Sequence, residues 1–122
     1  AEPSPVATPR HEHLQALLNL CQTELERQWL RFVDELGLTL PTRAQKYIPA
    51  ADARPDFTYD DSLTAVFVDG PVHQYPDVAA RDREAERRLE DEGWTVVRFG
   101  SDQDTWEGVF QKWPDVFGRI SR

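Results

Sequence analysis

Asp56 and Asp69 stand thirteen residues apart and bracket two short hydrophobic runs, Phe57-Thr58-Tyr59 and Leu63-Thr64-Ala65-Val66-Phe67-Val68. Between the runs lies Asp60-Asp61-Ser62, a string of turn formers. If the runs pair as an antiparallel hairpin, the first residue of one lies near the last of the other, and the two carboxylates meet at one end of a sheet. Carboxylate and carbonyl oxygens gathered there suit Mg²⁺, which takes oxygen ligands and keeps several of its waters. The competing reading of each Asp is an ordinary turn residue, since Pro55 precedes one and Gly70 follows the other.

Three further polar residues bear on the same chemistry. His73 follows Asp69-Gly70 by three positions, and an imidazole with its ordinary pKa of about 6.5 is suited to act as a general base. A loop histidine with no chemical task is the alternative. Asp82 falls on the stripe marked by Val78, Ala85 and Leu89. A carboxylate at the end of a buried stripe needs a partner, and His73 is the natural one, held by it in one tautomer. Asp82 equally suits a solvated first turn, where the helix dipole favours acids. Glu26 lies three and seven residues before Trp29 and Val33, flanking the core side of its helix. Three residues after Thr23, it also completes a capping box.

The elements that must position these groups follow from periodicity. Residues 1–10, AEPSPVATPR, hold three prolines among small and polar companions and read as a flexible linker; residues 11–122 read as one domain. Leu14, Leu17, Leu18 and Cys21 recur at helical spacing, and a second helix begins at Thr23 with Leu25, Trp29, Phe32, Val33 and Leu36 as its apolar stripe and Gly37 as its stop. A short edge strand is expected over 45–48, then the hairpin. Ala65-Val66-Phe67-Val68 lacks polar alternation, which predicts a strand buried on both faces. A helix over 76–92 ends at Gly93, and Thr95-Val96-Val97-Arg98-Phe99 is the next strand. Strand, helix and strand in that order predict a parallel pairing with a right-handed crossover. The tail, about 103–120, reads as helical around Trp106, Val109, Phe110 and Trp113 with a break at Pro114. The class is α/β, without internal repeats.

Taken together, Arg-Pro-Asp-Phe (54–57), Val-Phe-Val-Asp-Gly-x-x-His (66–73), Arg-Asp-Arg (81–83) and Glu-Gly-Trp-Thr-Val-Val-Arg-Phe (92–99) resemble the very-short-patch repair endonucleases. They are similar too to small relatives in the PD-(D/E)XK, restriction-endonuclease-like superfamily. The resemblance spans about residues 23–100. It implies a restriction-endonuclease-like mixed β-sheet flanked by helices, with Asp56 and the backbone carbonyl of Val68 as Mg²⁺ ligands. It further implies that His73 activates the attacking water, that Asp82 orients His73, and that Glu26 touches the site through water. Two positions depart from the pattern. Phe67 stands where the superfamily has its second acid, and Asp69 stands where the superfamily has its Lys and the repair enzymes, which also lack that Lys, place a His. The 70–73 loop is also one residue shorter and lacks the aromatic wedge and zinc cluster of mismatch recognition.

Composition bounds the function. With 14 Lys and Arg against 22 Asp and Glu, the net charge is −8, which opposes charge-driven DNA binding by the chain alone. A single Cys excludes an internal disulfide and any multi-cysteine zinc site. The absence of a long apolar run or leader makes the cytoplasm the expected compartment. Three readings remain. The first is a DNA endonuclease using Mg²⁺ (or Mn²⁺) at Asp56, Val68 and Asp69; Arg81, Arg83, Arg87, Arg88 and Arg98 would meet phosphates, although the interleaved Glu84, Glu86, Glu90 and Asp91 fit a solvated helix with ion pairs better. The second is a nuclease-fold accessory domain of a helicase-type repair or defence protein that supplies the DNA affinity. The third is a protein-interaction module presenting aromatics near Trp106 and Trp113.

Overall fold

The computed structural model describes residues 9–69 and 76–120. Helix α1, Pro9–Leu20, begins two residues inside the stretch expected to be linker. Arg10 ties it down, Nε donating to Asp34 Oδ1 at 3.1 Å and Nη2 to the Leu38 carbonyl at 2.8 Å; residues 1–8 lie outside the described residues. Helix α2, Glu24–Glu35, starts as its capping sequence predicts, with Thr23 Oγ1 accepting from the Glu26 N–H at 3.2 Å. It ends where Gly37 takes φ +69°. There the Gly37 N–H donates to Asp34 O and the Leu38 N–H to Val33 O, closing both of the last carbonyls.

Four strands follow: β1 (Arg43–Ala44), β2 (Phe57–Tyr59), β3 (Thr64–Val68) and β4 (Thr95–Phe99). They lie side by side in that order, antiparallel between β1, β2 and β3 and parallel between β3 and β4. The hairpin and the parallel pairing of β3 with β4 are therefore as expected, with α3 (Pro76–Asp91) between those two strands in the chain. The edge strand is not. It occupies 43–44 rather than 45–48, because Gln45 adopts φ +57° and leaves the ladder; Ile48 makes only an isolated bridge with Ala53. The tail breaks into a 3₁₀ turn (Gln103–Thr105), α4 (Trp106–Lys112) and α5 (Pro114–Phe117).

Strand alternation divides the core in two. Phe57, Val66, Val68, Val97 and Phe99 face one layer, where Trp29, Leu30 and Val33 of α2 meet Trp106, Phe110 and Phe117 of the tail. Trp106 is fully buried, so packing rather than a partner explains it; Trp113 stays exposed. Ala65, Phe67 and Val96 face the other layer, against Ala85 and Leu89 of α3. The side chains of Val78 and Asp82 lie outside the described residues. No helix among the described residues is long and apolar enough to cross a membrane.

The end of α3 supports a simple prediction. Gly93 holds φ +91°, with its N–H on Glu90 O and the Trp94 N–H on Leu89 O. A Cβ there meets nothing within 4 Å, so Gly93→Ala acts only through the backbone and is expected to lower stability by about 1 kcal/mol. Gly100→Ala, equally open and without a positive φ, is the control. Urea unfolding of both checks this; equal midpoints would refute it.

Candidate functional site

The site grows from one break in the β2–β3 ladder. Phe57 pairs with Val66, and the next position of the same kind would set Val68 against Pro55. Proline has no N–H to give, so a full ladder pair cannot form. The Val68 N–H instead donates to Asp56 Oδ2 at 2.7 Å. In an extended strand both backbone groups of a residue point to the same neighbour, so the Val68 carbonyl faces the side on which the Asp56 carboxylate sits. The Pro55-Asp56 dipeptide thus turns a strand end into a set of oxygens.

Asp56 is half-buried. Burial pushes its carboxyl up from the ordinary 3.8 to about 7; the Val68 N–H pulls it down, the negative Glu26 and Asp69 push it further up, and a hydrogen bond from Gln45 pulls it down again. Glu26 is only 4% exposed, yet its carboxylate is well supplied with donors. Thr23 Oγ1 donates to its Oε2 at 2.9 Å, while the Gln22 N–H and Gln45 Nε2 donate to its Oε1 at 3.2 and 2.7 Å. The cap and the site are one structure, and Gln45 joins them: its N–H also donates to the Asp56 carbonyl at 3.0 Å. Gln45 is a site residue the sequence reading missed, and it carried no local signal.

Asp69 arrives at the same sheet end, as the hairpin predicts, with its N–H on Phe99 O at 2.7 Å. Its carboxylate is engaged by Arg98, whose Nη1 lies 3.3 and 3.1 Å from Oδ1 and Oδ2. Arg98 Nε donates to Glu86 at 2.7 Å, and its guanidinium sits 4.6 Å over the Phe67 ring. Register puts Phe67 across from Arg98 and, one step beyond the Phe57–Val66 pair, across from Asp56. One row thus crosses the sheet as acid, aromatic and cation. Burial works against the Arg98 charge, but Glu86 and Asp69 outweigh it, and its pKa lies above the ordinary value.

Of the five arginines expected to meet phosphates, Arg98 is therefore committed to this row. Arg88 is committed to the carbonyls of Ala51 (2.6 Å) and Asp52 (3.1 Å), while Arg81, Arg83 and Arg87 are exposed. His73 lies outside the described residues, as does the side chain of Asp82. Among the described residues, no group of three or more His, Cys, Asp or Glu side chains is arranged to hold a metal ion. Compared with protein-family models, with curated proteins and with solved structures, the chain gave no match.

Proposed function

We propose that the chain is a Mg²⁺-dependent DNA endonuclease domain of the restriction-endonuclease-like kind, working as part of a larger repair or defence protein. The observation that carries this reading is the Asp56 carboxylate held on the Val68 N–H; strand geometry turns the Val68 carbonyl to the same side. Two oxygen donors of that kind fit an ion that retains most of its water. Bound there, Mg²⁺ (or Mn²⁺) would polarise a phosphodiester and stabilise the leaving oxygen. Glu26, fixed by Thr23, Gln22 and Gln45, accepts hydrogen bonds from waters beside Asp56. Asp69 adds a further carboxylate once it parts from Arg98. His73 takes the proton from the attacking water, and Asp82 orients it.

Nicking of supercoiled plasmid tests this. The purified chain with Mg²⁺ or Mn²⁺ is expected to nick, with EDTA to stop it, and Asp56→Ala and His73→Ala each to slow it by about a hundredfold or more. Absence of nicking together with no metal-dependent rise in melting temperature refutes the reading. It would favour a protein-interaction module that keeps the fold without the metal, which Phe67 opposite Asp56 and the Asp69–Arg98 pair already suit; metal binding without nicking would point to a tethered accessory domain of a helicase-type assembly.

A further inference from the structure

Hydrophobic exposure on this chain is concentrated. Of the four large hydrophobic side chains exposed among the described residues, Leu20 (54%) and Tyr47 (47%) line one groove of about 380 Å³ between the end of α1 and β1. A third, Leu63, borders the adjoining depression on the other side of Tyr47. The charged side chains lining the groove are Arg43 and Lys46, and no Asp or Glu is among its described lining residues. In a chain of net charge −8, the lining itself thus carries only cations, with Asp60 and Asp52 just outside it on Arg43 and Tyr47. Lys46 has no ion-pair partner among the described residues, and Arg43 gives only its Nε to Asp60, at 2.9 Å. The groove ends at Gln45, the residue that bonds Glu26 and the Asp56 backbone.

Tyr47 is held in place as well as exposed. Its hydroxyl donates to Asp52 Oδ1 at 2.7 Å, so the ring is fixed with a face open to solvent, and ordering it on binding costs little. A fixed aromatic face beside Lys46, with Arg43 keeping its Nη groups free of Asp60, is an arrangement that takes a single-stranded nucleic acid: bases stack and phosphates meet the charges. A paired base in a duplex keeps its faces against its neighbours and has none to offer.

We propose that the α1–β1 groove binds an unpaired DNA strand, with Tyr47 as the stacking platform and Lys46 and Arg43 on its phosphates. The strand would lead to or from the Asp56 site through Gln45. The choice of DNA over an acidic peptide rests on the nuclease reading; the groove's chemistry does not.

Binding without cleavage separates the two. In EDTA at low salt, fluorescence anisotropy of a labelled oligothymidylate of about 12 nucleotides is expected to show binding tighter than that of a duplex of equal length. Tyr47→Ala should weaken it by about fivefold or more, Tyr47→Phe should keep it, and Lys46→Ala should shallow the salt slope by about 0.7. Unchanged binding in Tyr47→Ala and Lys46→Ala overturns the groove while leaving plasmid nicking to judge the nuclease. No oligonucleotide binding by the wild-type chain, whether or not a Glu- and Leu-rich peptide binds the groove instead, overturns it too. Binding lost in the variants of a chain that neither nicks nor gains melting temperature with Mg²⁺ supports the groove and refutes the nuclease.

Discussion

Asp56→Asn is expected to raise the melting temperature at about pH 8 and to change it little below about pH 4. The folded carboxyl titrates near 7 against an ordinary 3.8, chiefly because burial disfavours its charge. Between those values the folded chain keeps a proton that the unfolded chain has released. Stability contributed by Asp56 is therefore complete below the lower value, falls as pH rises, and is lost above about 7. The full loss is on the order of 4 kcal/mol. Asparagine keeps an oxygen for the Val68 N–H and carries no charge, so the variant escapes the loss, a gain of several degrees at alkaline pH. Other carboxylates titrate over the same range, and the difference between wild type and variant isolates this one. A bound divalent ion reverses the account, since it favours the charged carboxylate. At a hundredfold excess over its dissociation constant, Mg²⁺ should restore about 2.7 kcal/mol to the wild-type chain and little to Asp56→Asn. Parallel wild-type and variant curves from about pH 4 to 8 would show that Asp56 is not destabilised by its surroundings.

That tension between stability and charge was only half visible in the sequence. What local pattern controls was legible. Thr23 and Glu26 set the start of α2, Gly37 and Gly93 set helix ends, and β4 spans the five residues its hydrophobic run suggests. The meeting of Asp56 and Asp69 at one sheet end followed from hairpin geometry alone, and the β2–β3 register bears it out. What long-range contacts control was not legible. Gln45 leaves the edge strand for φ +57° while its side chain bonds Glu26, nineteen residues away, and no propensity announces that. Arg98 is paired with Asp69 by a parallel register spanning 29 residues. Its sole clue was a charge in the middle of a buried strand, which demands a partner without naming it. Asp69, expected to face a metal, thus faces a guanidinium first, and any ion must compete with it.

Trp29→Ala is expected to cost about 3–5 kcal/mol, a large share of the 5–15 kcal/mol that holds a domain of this kind together. Trp29 has no exposed surface. It stacks on Phe57 (4.8 Å between ring centroids, 16° between planes), meets Phe99 edge-on at 5.3 Å, and touches Phe110 at 5.9 Å. One side chain of α2 thereby joins β2, β4 and α4, and its removal opens a cavity that three rigid rings cannot close. Trp29→Phe separates volume from chemistry. The indole Nε1 has no acceptor among the described residues, a loss of about 1–3 kcal/mol that phenylalanine avoids, so the milder variant should lose far less than Ala. Urea midpoints decide; equal losses for Phe and Ala would mean that stacking geometry, not filled space, is what Trp29 supplies. The consequence reaches the site, because Trp29 follows Glu26 by three residues on one helix face and Phe57 follows Asp56 directly. The stacked pair thus adds to Gln45 in joining the elements that carry the two carboxylates, so loosening the core should also relax the raised titration of Asp56.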